Sequence, residues 1–339
     1  MQEEGAMGRI TFISRTQTFG VLLVVLGHCT LSNNNALITP LWWIWFTSFF
    51  CSSFDMPLFM FFSGFLFCLS QHKKKLTYGY FMLHRAYKML VPYFVLGSIG
   101  FVIKLLLYDY ALRPVAFSWS SFFDGFLYPW HNPIIYLWFL PTLLFVFGIL
   151  FFLNYIKSVG VAIAVLLLLV IVTIYRPLSD VEFLNLGGII QYLLYFALGF
   201  YFYRLQGKFA FLNSLAFFVV SGLLLLILNL YTTRDILMLW LTKNGNDLLL
   251  ACVGILFSLS FGHVLSKPLF NRLKIYDGLY FCMYLLSWFI ITGVKIGYQK
   301  FYYSQNTGIL MVLILILTLP LLARKYIKNT FARTVLGLS

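Results

Sequence analysis

Long runs of apolar residues recur along the whole chain and are separated by short polar stretches. Many of these runs approach ~20 residues, the length that a helix needs to cross the hydrocarbon core of a bilayer. The runs are continuous and rich in Leu, Ile and Phe, whereas the strands of a membrane β-barrel alternate polar and apolar positions. Because a backbone in lipid must satisfy its hydrogen bonds internally, the pattern predicts an all-α polytopic integral membrane protein.

About ten transmembrane helices can be placed on this pattern. The predicted spans are 11–32, 54–70, 86–107, 133–154, 159–176, 187–205, 210–230, 246–266, 278–297 and 307–327. A further apolar run, 41–53, is short and rich in tryptophan, which is typical of an interfacial or re-entrant helix. No linker or internal repeat divides the chain, so we expect a single transmembrane domain over residues 1–339.

Composition and charge agree with this fold class and predict its orientation. Hydrophobic residues make up 61% of the chain and charged residues 10%, whereas a soluble domain carries about 25% charged residues. Ten spans place both termini on one side, where 17 of the 24 Lys and Arg residues then lie. By the positive-inside rule, both termini are predicted to be cytoplasmic. The net charge of +14 therefore reflects topology, and we expect the lipid bilayer as a partner and no nucleic acid.

Few ionisable residues lie inside the predicted spans, and such residues are functional candidates because burying them in lipid is costly. His28 lies near the outer end of the first span, and Asp55 opens the second. Gln17 precedes His28 by eleven positions, about 20° from the same helix face and about 16 Å away along the axis. The first span therefore carries a polar stripe. The five cysteines show neither metal-ligand nor disulfide spacing, so we predict no metal site.

Four segments together resemble the successive signatures of acyltransferase family 3. They are Val21 to His28 (VLLVVLGH), Asp55 to Phe67 (DMPLFMFFSGFLF), His84 to Tyr93 (HRAYKMLVPY) and Leu137 to Leu143 (LWFLPTL). The segments occur in the family's order and extend over much of the chain. The resemblance implies a bacterial inner-membrane protein of about ten spans. It also implies transfer of an acyl group, most often acetyl, from a coenzyme A thioester to a hydroxyl of an extracytoplasmic glycan.

Two positions depart from the family's pattern. The family commonly carries an arginine eleven residues before the histidine, and here that position is Gln17. A histidine that often ends the family's late signature is replaced by Ser287, in Tyr284-Leu285-Leu286-Ser287. The resemblance therefore implies the fold more directly than the activity.

Acyl transfer to an alcohol requires a base that removes the hydroxyl proton while the oxygen attacks the thioester carbonyl. Imidazole titrates near neutral pH, and by resemblance His28 is the family's catalytic histidine. We expect His28 to act as the base and Asp55 to orient its ring and stabilise the imidazolium. A covalent acyl-histidine is an alternative mechanism. The structural alternatives are a packing role for His28 and a helix-start role for Asp55, two residues before Pro57.

The donor-binding residues are predicted at the cytoplasmic mouth of the third span. Arg85 and Lys88 match a basic pair of the family, and arginine can bind a phosphate bidentately. With Gln17 they form our predicted coenzyme A site, although basic cytoplasmic loops are common to membrane proteins. Trp138 is predicted to line the path of the sugar or the pantetheine arm, or alternatively to be an interfacial aromatic.

The resemblance thus predicts a membrane O-acyltransferase that uses acyl-CoA, with acetyl-CoA as the family's commonest donor, as a co-substrate and holds no permanently bound cofactor. Its other partners would be a carbohydrate acceptor and the machinery of polysaccharide synthesis. A glycan transporter or exporter of the same fold is the alternative, and a structural subunit of a synthesis complex is a third. The single histidine-centred site favours the enzyme, because transport would place polar groups along several spans.

Overall fold

The computed structural model of the chain describes residues 16–29, 46–110, 114–205, 208–233, 243–264, 275–301 and 304–338. These residues form helices and turns, and no strand occurs among them. The α-helices are α1 Thr16–His28, α2 Asp55–Lys73, α3 Tyr78–Leu106, α4 Trp119–Leu127, α5 Phe139–Leu150, α6 Val159–Tyr175, α7 Leu186–Leu205, α8 Leu215–Thr233, α9 Lys243–Val264, α10 Tyr280–Phe301, α11 Gln305–Tyr326 and α12 Thr330–Val335. A π-helix at Phe46–Cys51 precedes α2.

Each of the ten predicted spans overlaps a helix of the described residues. Six helical stretches are long and apolar enough to cross a membrane: Tyr78–Leu106, Ile135–Tyr155, Phe183–Leu205, Lys243–Val264, Tyr280–Phe301 and Asn306–Tyr326. The apolar stretches Thr16–His28, Val159–Tyr175 and Leu215–Tyr231 are shorter. The prediction of an all-α polytopic membrane protein is confirmed, whereas the number of crossings and the side of the termini remain predictions.

Apolar side chains on the outer helices face away from the protein. Leu167, Leu168 and Ile171 of α6 are exposed, as are Leu223 and Ile227 of α8. A helix that is apolar on every side is stable only inside a large core or in lipid. These helices therefore present their exposed faces to the bilayer.

The third predicted span begins too late. Span 86–107 corresponds to α3, which starts at Tyr78, so Arg85 lies two turns inside the helix and not in the preceding loop. The first turns of α3 are polar on one side, but Phe81 is buried against Phe67 of α2, with ring centroids 5.1 Å apart. Phe81 therefore gives the first turns of α3 a buried apolar contact, and the helix extends beyond its continuous hydrophobic run.

Helices α2 and α7 form the centre of the bundle and approach closely through two glycines. A Cβ atom added to Gly64 of α2 would meet the backbone carbonyl of Phe196, and one added to Gly199 of α7 would meet that of Phe61. Small residues allow helix backbones to pack closely in membranes. Gly64 and Gly199 therefore permit the close approach of α2 and α7, and this helix pair positions the cavities described below.

Two parts of the described chain were not predicted from the sequence. One is the short helix α4, whose first turn is capped by Ser118 accepting a hydrogen bond from the Ser121 N–H at 3.0 Å. The other is α12, which packs against α3. In the segment 41–53, residues 41–45 lie outside the described residues, and the π-helix at Phe46–Cys51 is the element that leads towards α2.

Candidate active site

His28 ends α1, and its ring is oriented by its own helix. The Nδ1–H donates a hydrogen bond to the backbone carbonyl of Val24 at 2.7 Å. A carbonyl oxygen can only accept, so Nδ1 must carry the proton. A neutral ring then has its lone pair on Nε2, which is the atom able to take a proton from a substrate hydroxyl.

Tyr136 and Tyr284 connect His28 to the interior of the bundle. The ring of His28 packs edge-on against Tyr136, with ring centroids 4.3 Å apart. Tyr136 lies in the 3₁₀ turn Ile135–Trp138, and its backbone carbonyl accepts a hydrogen bond from the hydroxyl of Tyr284 on α10. The Tyr284 side chain is buried. Residues of α1, the 3₁₀ turn and α10 are thereby fixed around the imidazole.

An elongated cavity of about 450 Å³ begins at Tyr284 and follows α2. One wall is a stripe of α2 side chains spaced three or four residues apart: Met56, Phe59, Ser63, Leu66 and Leu69. This spacing keeps them on one helix face, and thirteen residues at 1.5 Å each give a length of about 20 Å. The cavity, hereafter the long cavity, is therefore a narrow apolar passage along much of a membrane span.

The structure brings the three predicted donor-binding residues to the long cavity. Gln17 of α1 and both Arg85 and Lys88 of α3 line it. The guanidinium carbon of Arg85 lies 5.3 Å from the ring centroid of Phe81 and 4.9 Å from that of Phe147. No hydrogen bond or ion pair of Arg85 occurs with any residue in the described part of the chain. Its N–H donors are thus available to an anionic ligand.

The start of α10 and the C-terminal segment complete this end of the long cavity. Asp277, Gly278 and Gly337 line it, and both glycines have positive φ values, 77° and 66°. The guanidinium of Arg333 donates to the carbonyl of Leu338 at 2.9 Å and so holds the turn that contains Gly337. The segment that follows α11 is therefore part of the cavity wall.

Asp55 lies in a different cavity from the predicted donor residues. It is the first residue of α2, and its Oδ1 accepts a hydrogen bond from the Met56 N–H at 2.6 Å. This agrees with a helix-start role, because a carboxylate is favourable in the first turn of a helix. No hydrogen bond joins Asp55 to His28 among the described residues, and Val24 already accepts the Nδ1 proton. The orienting role that the sequence suggested for Asp55 is filled here by Val24.

Asp55 faces a second cavity of about 270 Å³, hereafter the polar cavity. Met56 lines both the polar cavity and the long cavity, which are therefore neighbours. The predicted catalytic aspartate is thus adjacent to the passage without being part of its wall.

Trp138 is the middle ring of an aromatic stack and lines neither cavity. Its ring lies 4.9 Å from Trp130 and 5.6 Å from Tyr192, with interplanar angles of 19° and 27°. Both faces of the Trp138 ring are therefore covered. Trp130 is the exposed member of the stack, and its indole N–H donates to Asn185 at 2.9 Å.

Sequence reasoning did not select Tyr136 or Tyr284 as site residues. Tyr284 opens the late YLLS segment. The departure of this segment from the family's pattern lies three residues later, at Ser287. Ser287 itself is buried and donates to the carbonyl of Tyr284 at 2.6 Å. Tyr136 lies outside the four segments that resemble the family, and only its contact with His28 in the folded protein reveals it as a site residue.

The comparisons with known proteins agree with the geometry. A family model described as an acyltransferase domain matches residues 11–323. No curated protein and no solved structure matches the chain. Among the described residues, no group of three or more His, Cys, Asp or Glu side chains is arranged to hold a metal ion.

Proposed function

Because this chain belongs to acyltransferase family 3, we propose that it transfers an acetyl group from cytosolic acetyl-CoA to a hydroxyl of an extracytoplasmic carbohydrate. Family membership and the apolar helices make it a multi-pass membrane acyltransferase. The donor, the acyl group, the acceptor and a location in a bacterial inner membrane are the parts that we propose.

The long cavity is the observation that carries the proposal. At one end, Arg85 offers a guanidinium with no hydrogen bond or ion pair to the described residues, and Lys88 adds a second cation. At the other end lies Tyr284, bonded to the residue that packs on His28. Coenzyme A has the matching distribution of chemistry, because its phosphates are anionic and its thin pantetheine arm ends in the thioester. Arginine suits such phosphates because its N–H groups bind two oxygens at once.

The chemistry then proceeds at His28. Nε2 accepts the proton of the sugar hydroxyl as the oxygen attacks the thioester carbonyl. The new C–O ester bond forms, the C–S bond breaks, and the coenzyme A thiolate leaves with the proton returned from the imidazolium. The Val24 carbonyl holds the protonated Nδ1 throughout, so it stabilises the ring in the orientation that this step requires.

Inverted membrane vesicles test this function, because the cytoplasmic face is then accessible to the donor. Vesicles that contain the full-length chain and the host's glycans receive acetyl-CoA labelled on the acetyl group. We expect alkali-labile label in the glycan, and none in vesicles that lack the protein. Glycan movement across the membrane without incorporated label would support the exporter alternative instead.

A further inference from the structure

The polar cavity has no part in the donor site. It lies between the beginning of α2, the beginning of α9, the end of α8 and the first turns of α7, and its lining includes Asp55, Gln191, Tyr192, Tyr195, Asn229 and Asp247. Asp55 and Leu69 are fourteen residues apart on α2, which separates them by about 21 Å along the axis. The polar cavity is therefore at the opposite end of α2 from the basic residues of the long cavity.

Four of its polar side chains are almost completely buried. The exposed fractions are 4% for Asp55, 9% for Tyr192, 1% for Tyr195 and 2% for Asn229. Within the described part of the chain, the hydroxyls of Tyr192 and Tyr195 have no hydrogen-bond partner, and the Asp55 carboxylate accepts only from the backbone N–H groups of Met56 and of Asp55 itself. Asn229 uses its amide N–H to bind the Leu225 carbonyl at 2.9 Å, which leaves its oxygen unused.

Buried polar groups without partners are costly, and native proteins almost always satisfy them with water or a ligand. Here the available groups comprise two hydroxyls, an amide oxygen and the remaining acceptor capacity of a carboxylate, and all four side chains line one partly open cavity. Together they can donate and accept hydrogen bonds in several directions. That combination is complementary to a neutral polyol, whose hydroxyls also donate and accept.

The charges of the polar cavity argue against an anion, and its ligands argue against a divalent metal ion. Asp247 is already paired with Arg176, with 2.9 Å between Oδ2 and the guanidinium nitrogen. Asp55 is then the remaining charged group of the lining, which disfavours an anion. A divalent cation would need several oxygen ligands, and no group of three or more acidic, His or Cys side chains occurs among the described residues.

The surroundings also fit a carbohydrate. Tyr192, which lines the polar cavity, stacks on Trp138, and the stack continues to the exposed ring of Trp130. On the other side, Met56 lines both the polar cavity and the long cavity. The volume of about 270 Å³ is just below the range for drug-sized ligand sites, roughly 300–1,000 Å³. Such a volume suits one sugar ring.

We propose that the polar cavity binds one sugar ring of the acceptor glycan, through Asp55, Tyr192, Tyr195 and Asn229. This inference rests on the acyl-transfer function proposed above, because it assigns the second substrate of that reaction to a place in the fold. The site belongs to the end of the bundle that the charge distribution assigns to the extracytoplasmic side.

Saturation-transfer NMR on the full-length chain in lipid nanodiscs tests the site directly. The probes are the methyl glycosides of glucose, galactose, rhamnose and N-acetylglucosamine. The variants are Tyr195→Phe, which removes one hydroxyl, and Asn229→Leu, which removes the amide. The matched control is Tyr201→Phe, since Tyr201 is also a largely buried tyrosine of α7 with an unpaired hydroxyl but does not line the polar cavity.

We expect at least one glycoside to bind the wild type, and each cavity variant to weaken that binding about fivefold, the usual effect of one neutral buried hydrogen bond. Tyr201→Phe should bind as the wild type does. The absence of binding by all four glycosides, or equal binding by both cavity variants and the wild type, would overturn the assignment.

Label transfer from acetyl-CoA in the same preparations separates this inference from the proposed function. Intact transfer with an unchanged acceptor KM in both cavity variants overturns the acceptor site and leaves the acyltransferase standing. Glycoside binding that depends on Tyr195 and Asn229, in a wild type that transfers no acetyl group, supports the carbohydrate site and contradicts the acyltransferase function.

Discussion

The hydroxyl of Tyr284 donates a hydrogen bond to the backbone carbonyl of Tyr136, the residue whose ring packs against His28. Tyr284 also lines the long cavity. This one bond therefore connects the wall of the proposed donor passage to the support of the proposed base. Through this bond, a side chain of α10 contacts the site in a chain that lacks the family's late histidine.

The variant Tyr284→Phe should lower acetyl transfer about fivefold, because one buried neutral hydrogen bond contributes roughly 1 kcal/mol. The loss should appear in kcat, since the phenyl ring still fills its place in the cavity wall. Tyr93→Phe is the matched control: Tyr93 is also buried and donates to a backbone carbonyl, that of Phe126 at 3.0 Å, but lies outside both cavities. Equal kcat losses in the two variants would contradict a specific role for Tyr284.

Replacing Arg85 by Gln should raise the Kd for acetyl-CoA by about tenfold or more, because each charge-assisted hydrogen bond contributes roughly 1.5–3 kcal/mol. The Kd of the wild type should also rise with salt concentration, as expected for an ionic contact at a solvated mouth. Equilibrium binding to the purified protein measures both effects.

Arg204→Gln is the control for this variant. Arg204 also lies over an aromatic ring, 4.6 Å from the centroid of Phe200, but it does not line the long cavity. We expect its replacement to leave the Kd for acetyl-CoA unchanged. A wild-type Kd in Arg85→Gln would remove Arg85 from the donor site.

The variant Asp55→Asn distinguishes two roles for that residue. Asn keeps an oxygen that can accept the Met56 N–H bond, so the beginning of α2 should remain intact. If Asp55 holds the acceptor, its loss of charge should raise the acceptor KM roughly tenfold with little effect on kcat. Asp124→Asn, at a carboxylate on α4 that accepts from Ser120 at 3.2 Å, should change neither constant.

A fall in kcat with an unchanged acceptor KM in Asp55→Asn would contradict an acceptor-binding role for Asp55. It would mean that Asp55 assists the imidazolium of His28 during the reaction, as the sequence alone suggested, despite the absence of a hydrogen bond between these two residues in the described structure.

The variant Gly64→Ala should destabilise the protein by about 1–3 kcal/mol, the usual cost of overpacking, because the new methyl group meets the backbone of Phe196. Gly293→Ala on α10 is the control, since its Cβ would enter open space. Thermal unfolding in detergent should give a lower midpoint for the first variant only. Equal midpoints would contradict the close approach of α2 and α7.

The sequence was sufficient for the helices and for three residues that line the long cavity. A continuous apolar run can be recognised in the sequence without knowledge of tertiary contacts. The helices were therefore placed within a few residues, except where α3 begins. Gln17, Arg85 and Lys88 could be selected because they lie at positions that the family's pattern marks, and the structure brings them to one cavity.

The polar cavity could not be found in this way. Tyr192, Tyr195 and Asn229 look like ordinary residues of apolar helices, and they come together only because α7 and α8 pack beside the start of α2. The hydrogen-bond partner of His28 could not be found from the sequence either. The sequence offered Asp55 as the nearest acid, whereas the helix itself supplies the Val24 carbonyl.

The most direct test of the account is label transfer from acetyl-CoA in inverted vesicles that contain either the wild type or His28→Ala. His72→Ala is the control, because His72 is exposed near the end of α2. With equal amounts of folded protein, we expect alkali-labile label in the glycan to fall at least hundredfold in His28→Ala, as for the loss of a general base, and to stay unchanged in His72→Ala. Equal labelling by His28→Ala and the wild type would contradict a reaction centred on His28.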